Sequence, residues 1–359
     1  MPNLLLIDDE QPHLAELVAA LETELRKDDV EIRQWVPQMG DDAERSFNER
    51  VDPNTSLVIT DYNLTDNGQT GLFGSTIVGW CQARAIPVGD FSRANRSPLP
   101  KQPNQYEIRI PSDANSAAKY IAGTFRGFVQ IQRALDSAPE LIKKKRSPVS
   151  VLSEILGRPK EESRFALYGG RVGAANAALV DIVTLDGDAS EASKRKLTCY
   201  IVGHLLLNVI LRFPGPLLNE RVLAAYLAIA DAEIGKVKDL FAKALYNGPF
   251  SDIGPFYWLS DVDAVLDDIS RAAQSDSKAE TSGQLNREAV ESKLRAKLAR
   301  HECPRCKGLN GGFFCPFTNR TVCQLPYCSV GSNGWIPQGA RLCRIEKDFY
   351  DEWAPMLGF

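Results

Sequence analysis

Short apolar segments alternate with amphipathic segments over the first 136 residues, and this alternation limits the fold more than any other feature of the chain. The pattern predicts strands at residues 4–7, 30–36, 56–60, 86–91 and 106–110. Apolar residues that recur every three or four positions predict helices between them and a last helix over residues 113–134. Strands that alternate with helices are typical of an α/β fold with a doubly wound parallel sheet, here of five strands.

The rest of the chain divides into four segments of different character. Residues 137–163 contain a basic run together with Pro148 and Pro159, and they are predicted to be a linker with one short helix. Residues 164–272 have helical spacing and predict a mostly α domain. Residues 273–300 begin with a Ser-rich, polar stretch that indicates a flexible connection, followed by a charged helix. Residues 301–359 hold six of the eight cysteines and predict a small zinc-binding module.

Composition and charge indicate an ordinary globular protein of the cytoplasm. Hydrophobic residues make up 44% of the 359 residues, and the formal net charge of -4 supplies no overall positive field for nucleic acid. Two acids follow the short apolar run at the amino terminus, whereas a secretory signal needs a basic start and a longer apolar region. The least polar internal stretch, residues 200–211, is too short to span a bilayer, so no membrane association is expected.

Three aspartates follow predicted strands at the points where those strands end. Asp8 and Asp9 come after the first strand, and Asp61 comes after the third. In a doubly wound sheet, ligands bind outside the carboxyl ends of the strands, so the three carboxylates are expected to meet at one edge. Carboxylates at close range repel one another unless a divalent cation lies among them, and their oxygen atoms suit Mg²⁺. The sequence therefore predicts a magnesium site.

The segments LLLIDDE and LVITDYNL resemble the acid-pair and phosphoacceptor segments of the receiver domains of two-component response regulators. The resemblance covers residues 1–136 and implies a flavodoxin-like sheet. It also implies that Asp61 accepts a phosphoryl group. Asp8 and Asp9 would hold Mg²⁺ directly or through water, and the backbone carbonyl of Asn63 would complete the coordination.

Receiver domains also use a hydroxyl after the fourth strand and a basic residue on the fifth. Ser92 occupies the hydroxyl position, and Tyr106 and Arg109 follow the aromatic and basic pattern of the family, with arginine in place of lysine. Because arginine is bulkier than lysine, it is expected to alter phosphorylation or its lifetime. Three prolines between Ser92 and Tyr106 leave little room for the helix that most receivers place there, so a remodelled output face is expected.

Two simpler interpretations of the acidic residues remain open at this point. Asp8, Asp9 and Asp61 can be ordinary loop and turn residues at strand ends. Alternatively, the chain can keep the receiver fold without accepting phosphate.

The cysteine-rich tail has the spacing of a zinc site. Cys303 and Cys306 form a tight Cys-x-x-Cys pair, and Cys323 and Cys328 form a second cluster. Four thiolates from two such turns predict a tetrahedral Zn²⁺ site, which would replace a large core in this short segment. Three further residues are alternative ligands or could serve a second ion: Cys315, Cys343 and His301. A disulfide framework and a redox-active pair are the competing interpretations.

No motif between residues 137 and 300 indicates a separate enzyme. The favoured function is a signalling protein whose Mg²⁺-dependent phosphorylation on Asp61, by a histidine kinase or phosphotransfer protein, controls protein–protein interactions of the helical and zinc regions. One alternative is a phosphate sink without output, compatible with a phage-defence two-component system. Another is a DNA-binding transcriptional regulator that uses a helix-turn-helix over residues 220–230 and 232–245, or the zinc tail.

Overall fold

The computed structural model describes residues 1–38, 40, 42–65, 72–91, 106–144, 147–175, 190–273, 281–308, 312–331 and 334–355. The chain forms two compact units, each built from separate stretches of sequence. The first contains Met1–Pro159, Val172–Asn208 and Gly248–Ile253, and the second contains Lys160–Arg171, Val209–Asn247 and Gly254–Phe359. The predicted boundaries at residues 136, 163, 272 and 300 stay predictions.

The first unit contains the predicted parallel sheet of five strands, which is confirmed. Its strands are β1 (Asn3–Ile7), β2 (Glu31–Trp35), β3 (Thr55–Asp61), β4 (Val88–Phe91) and β5 (Ile108–Arg109). They lie in the order β2-β1-β3-β4-β5, and every neighbouring pair is parallel. The first and third strands are apolar and buried, which is typical of a sheet covered on both faces. β5 is shorter than the predicted 106–110.

Helices cover both faces of this sheet. They are α1 (Gln11–Glu24), α2 (Ala43–Arg50), α3 (Gly74–Ala83) and α4 (Ala114–Ser137). Leu5 and Ile7 of β1 share a buried cluster with Phe47 of α2 and Ile77 of α3. Because side chains alternate along a strand, Leu4 and Leu6 point to the opposite face, where α1 packs against α4. Asp113 caps α4 by accepting a hydrogen bond from the Ser116 amide at 2.8 Å, which fixes where this long helix begins.

Three later helices complete the first unit: α5 (Glu140–Lys144), α6 (Pro148–Ile155) and α8 (Glu191–His204). Between the last two, the chain forms α7 (Glu162–Ala175). α6 and α8 both pack against α4. The sequence predicts one short helix over residues 137–163, whereas the structure has two. Ser147 caps α6, and its apolar residues Val151 and Leu152 are buried, so this segment forms part of the core of the unit.

Close packing between α4 and α8 depends on the absence of a side chain at Gly203. A methyl group at this position would lie 2.2 Å from Cε1 of Phe128 on α4. We expect Gly203→Ala to lower the free energy of unfolding by about 1–2 kcal/mol, because the Phe128 ring must shift within a packed core. Chemical denaturation of the full chain measures this change.

Gly79→Ala is the matched control for this substitution. Gly79 lies within α3, is exposed, and has no atom within 4 Å of the position of a methyl group. The substitution is therefore expected to raise stability by roughly 0.5–1 kcal/mol, because alanine favours the helix. Equal stability changes in the two variants would contradict the packing of α8 on α4.

The second unit is mostly helical and includes the cysteine tail. Its helices are α9 (Glu220–Tyr226), α10 (Ile234–Val237), α11 (Leu259–Ala273), α12 (Ser282–Leu294) and α13 (Lys347–Trp353). Its short strands pair antiparallel as β6 (Leu217–Asn219) with β7 (Phe256–Trp258), β8 (Phe313–Cys315) with β9 (Arg320–Val322), and β10 (Ser329–Val330) with β11 (Ile345–Glu346). One buried cluster joins Leu223, Phe241, Tyr257, Val290 and Phe314, so the helices and the tail share a core.

Two predicted helices of this unit differ from the structure. The run 232–245 is divided into a 3₁₀ turn at Asp231–Glu233, α10, and a second 3₁₀ segment at Lys238–Ala244, in which Phe241 leaves the helical range (φ -101°, ψ 16°). It is not the continuous second helix of a helix-turn-helix. The charged helix predicted over residues 287–300 starts earlier, at Ser282, with a capping box from Thr281 and Gln284. It ends at Leu294 because Arg295 adopts a left-handed conformation (φ 54°).

Among the helices in the described part of the chain, none combines the length and the apolar character that a bilayer span requires.

Candidate functional sites

Asp8, Asp9 and Asp61 lie at the carboxyl-terminal edge of the sheet. β1 and β3 are neighbours in which Ile7 pairs with Thr60, so Asp8 and Asp61 come next along the two strands. Asp8 and Asp9 are only 8% and 7% exposed, and Asp61 is half-buried. The three residues that the sequence singles out therefore share one edge.

The carboxyl group of Asp61 is held in an unfavourable environment for a negative charge. Burial is the main cause that raises its pKa to about 6, and the charges of Asp8 and Asp9 act in the same direction. The backbone N–H groups of Asn63 and Tyr62 partly oppose this change. Burial also raises the pKa of Asp8, with a further contribution from Asp9. A cation at this edge would relieve the repulsion.

Local hydrogen bonds orient these carboxylates. Asp8 Oδ1 accepts a hydrogen bond from the Glu10 amide at 2.8 Å, and Asp61 Oδ2 accepts one from the Asn63 amide at 3.2 Å. The Asn63 side chain accepts hydrogen bonds from the amide and hydroxyl of Thr65, which shapes the loop after β3. The predicted coordinating group, the Asn63 carbonyl, therefore lies in a turn that folds back onto Asp61.

The sequence reasoning missed one residue of this edge, Gly74. It begins α3, and a side chain here would place a methyl group 2.3 Å from the carbonyl oxygen of Asp61. Glycine is therefore needed for α3 to start beside the end of β3. The sequence carries no signal that singles out this glycine, since Gly79 lies in the same helix and has no such contact.

Of the two other predicted phosphoryl-contacting residues, Arg109 and Ser92, the structure describes Arg109. Arg109 is the last residue of β5 and pairs with Asp90 of β4. The next residue of β4, Phe91, pairs with Asp61 of β3, so Arg109 lies near the same edge of the sheet as Asp61. Its side chain is exposed. Ser92, the predicted hydroxyl, lies outside the described residues.

Tyr106 is buried beneath α8. Its ring stacks on Tyr200 of α8, with ring centres 5.1 Å apart and an angle of 10° between the planes. The ring centres of Tyr106 and His204 are 5.4 Å apart in an edge-to-face arrangement. His204 is fully buried, and burial lowers its pKa to about 3, so it is neutral near pH 7. An aromatic contact thus connects the start of β5 to a helix far along the chain.

The four predicted zinc ligands converge in the tail. One sulfur atom from each of Cys303, Cys306, Cys323 and Cys328 lies within 4.8 Å of the other three. Cys303, Cys323 and Cys328 are buried, and the partly buried Cys306 and Leu325 pack against them. All eight cysteines of the chain are free thiols. The group can hold a metal ion such as zinc.

Two turns present these sulfur atoms. In the first, the Lys307 amide donates a hydrogen bond to the Cys303 carbonyl at 2.9 Å, and the Gly308 amide donates one to Cys306 Sγ at 3.3 Å. In the second, the Cys328 amide donates a hydrogen bond to the Leu325 carbonyl at 2.8 Å. Backbone N–H groups aimed at sulfur stabilise thiolate, which is the form that binds metal.

The four thiols influence one another strongly. Burial opposes ionisation of Cys303, but hydrogen bonds from the amides of Cys306 and Arg305 and from Cys323 outweigh it and lower the pKa of Cys303 to about 7. Burial, together with the neighbouring thiol groups, raises the pKa of Cys328. One thiolate forms readily, whereas four together need a cation.

The three alternative ligands have other contacts. Cys315 Sγ accepts a hydrogen bond from the Glu346 amide at 3.3 Å, and Cys343 Sγ is 3.6 Å from the Pro214 carbonyl oxygen. His301 Nδ1 lies 3.2 Å from the Thr321 hydroxyl. None of them belongs to the group of four sulfur atoms.

Within the described ranges, the cysteine group is the one set of three or more histidine, cysteine or acidic residues whose ligand atoms come this close together. The three aspartates share an edge but do not form such a set. No family model, curated protein or solved structure matches the chain.

Proposed function

We propose that the chain is a phospho-accepting signalling protein of the two-component type, in which Asp61 receives the phosphoryl group. The observation that carries this proposal is the position of Asp61 at the end of β3, half-buried beside Asp8 and Asp9. The strand order β2-β1-β3-β4-β5 is also the order of flavodoxin-like sheets, whose ligands bind at the carboxyl ends of the strands.

In the proposed reaction, a carboxylate oxygen of Asp61 forms a bond to the phosphorus of the donor. The bond between phosphorus and the leaving group of the donor breaks as the new bond forms. Mg²⁺ held by Asp8, Asp9 and the Asn63 carbonyl would offset charge on the transferring group. The protein contributes mainly position and electrostatics, which is sufficient for phosphoryl transfer.

The raised pKa of Asp61 is consistent with a site that needs a cation to work. At pH 7 the carboxylate is ionised, but burial and two neighbouring charges make this form costly. A cation held by Asp8 and Asp9 would lower that cost and favour the deprotonated nucleophile. We therefore expect phosphorylation to depend strictly on a divalent ion.

The contact between Tyr106 and α8 supports an output that remains within the chain. Tyr106 lies just before β5 and stacks on Tyr200 of α8, and both rings are buried. A change in the position of β5 would therefore be felt directly by α8. The proposed partners are a histidine kinase or phosphotransfer protein on the input side, and a protein that binds the helical or cysteine-rich region on the output side. Zinc held by the four cysteines would stabilise the latter region.

The test is phosphorylation of the full chain by acetyl phosphate with and without Mg²⁺, measured as intact mass. Wild type is expected to gain one phosphoryl group only with Mg²⁺, and Asp61→Ala is expected to gain none. Asp29→Ala is the matched control, because Asp29 is exposed, precedes β2 at the opposite edge of the sheet and should leave uptake intact. Uptake by Asp61→Ala would refute the assignment. So would the absence of uptake by wild type from both acetyl phosphate and a phosphorylated phosphotransfer protein.

A further inference from the structure

A cavity of about 850 Å³ lies in the first unit at the amino-terminal edge of the sheet. Residues 54–56 at the start of β3 and residues 85–87 ahead of β4 form one side, and α4 and α8 form the other. Its volume is within the range of cavities that bind small molecules and cofactors.

The lining of this cavity carries more positive than negative charge. Its charged side chains are the cations Arg84, Arg133, Arg195 and Lys196 and the anions Asp52 and Asp136. Both acids already have partners, because Asp52 pairs with Arg33 at 2.8 Å and Asp136 pairs with Arg195 at 3.3 Å. The cavity is therefore electropositive in a chain whose net charge is -4.

Lys196 carries the strongest indication of a ligand. It is half-buried on α8, and its ammonium group forms no hydrogen bond or ion pair with any residue that the structure describes. Burial lowers its pKa, and Asp52, Cys81 and Cys199 oppose this only in part. Drawing an ammonium group out of water without an anion costs stability, and an anionic ligand would recover that cost.

A second cation lies on the facing helix. Arg133 on α4 is exposed, and its guanidinium group likewise has no ion pair within the described ranges. The planar guanidinium group binds phosphate through two parallel hydrogen bonds, and ammonium complements it as a compact charge. Beyond these cations, Val51, Pro87 and Val129 give the cavity an apolar wall.

We propose that this cavity binds a small phosphorylated molecule of nucleotide size, with its phosphate held between Lys196 and Arg133 and its body against the apolar wall. The site is distinct from the acidic edge, because the seven residues of β3 separate the two edges by roughly 20 Å. The proposal does not depend on phosphorylation of Asp61.

The experiment is isothermal titration calorimetry of the full chain with adenosine diphosphate and, separately, with inorganic pyrophosphate. Wild type is expected to bind at least one of them with micromolar affinity. Lys196→Gln and Arg133→Gln are each expected to weaken binding roughly 10- to 100-fold, the loss of a hydrogen bond to a charged group. Lys194→Gln is the matched control for Lys196, because it removes the same charge from the same helix and does not line the cavity.

Thermal unfolding distinguishes a ligand site from a structural lysine. Without ligand, Lys196→Gln should unfold at the same temperature as wild type or higher, since the variant removes a desolvated charge. With ligand, the midpoint should rise for wild type but not for this variant. The proposal is overturned if wild type binds neither probe, if Lys196→Gln and Lys194→Gln weaken binding equally, or if ligand-free Lys196→Gln unfolds at a lower temperature.

Discussion

Cys303→Ser is expected to release the metal from the tail and unfold it. The four cysteines form a cluster of their own, and the strands of the tail contain only two or three residues each. Hairpins of this size are not stable by themselves in water. Structural zinc sites supply much of the folding free energy of such segments, so the loss should exceed ~3 kcal/mol. Zinc content by mass spectrometry and near-ultraviolet circular dichroism should fall together.

Cys315→Ser is the control that tests the choice of ligands. Cys315 is buried in the same tail, but its sulfur accepts a backbone hydrogen bond instead of joining the group of four. This variant should keep one zinc ion per chain and lose stability only through its altered packing. Zinc retained by Cys303→Ser and lost by Cys315→Ser would show that the ligand set is wrong.

Asp61→Asn is expected to stabilise the protein at neutral pH in buffer without added Mg²⁺. The pKa of Asp61 rises from 3.8 in the unfolded chain to about 6 in the fold, so the folded protein binds this proton more tightly. Wild-type stability should therefore fall as pH increases from about 4 to about 6 and level off above. Asparagine removes this dependence, and after allowance for partial exposure the gain at pH 7 is about 2 kcal/mol. Urea denaturation across this pH range measures it.

Asp52→Asn provides a control of opposite sign. Burial acts to raise the pKa of Asp52, but hydrogen bonds from Arg33 and Asn3 outweigh it and lower the value. Its contribution to stability is present above the unfolded pKa and is lost as pH falls through the folded pKa. Asp52→Asn should therefore destabilise the protein at pH 7. If both asparagine variants shift stability in the same direction, the electrostatic account of the acidic edge is incorrect.

The strands and the acidic edge were accessible from sequence because their signals are local. β1 and β3 are short apolar runs, and each is followed at once by the aspartates that mark its end. The direction of the strands then brings Asp8 and Asp61 together without any knowledge of distant contacts. The cysteine group was accessible for a similar reason, because two close pairs of cysteines impose their own turns.

The sequence did not predict that α8 belongs to the same unit as the parallel sheet. Tyr200 and Gly203 fit against Tyr106 and Phe128, residues that lie more than 70 positions earlier in the chain. Periodicity identifies a buried face on such a helix but not the surface that it meets. The cavity was hidden for the same reason, because Lys196 in sequence looks like one more charge on an amphipathic helix.

The first unit is built from three separate stretches of the chain, and this affects when it can fold during synthesis. Its last segment is Gly248–Ile253, where Phe250 packs edge-on against Phe128 of α4. Gly127 leaves space for that ring, since a methyl group there would lie 2.0 Å from it. A ribosome must therefore deliver more than two thirds of the chain before this unit can finish folding. Until then, Phe128 on the apolar side of α4 is not covered by Phe250, and exposed apolar surface of this kind is what chaperones bind.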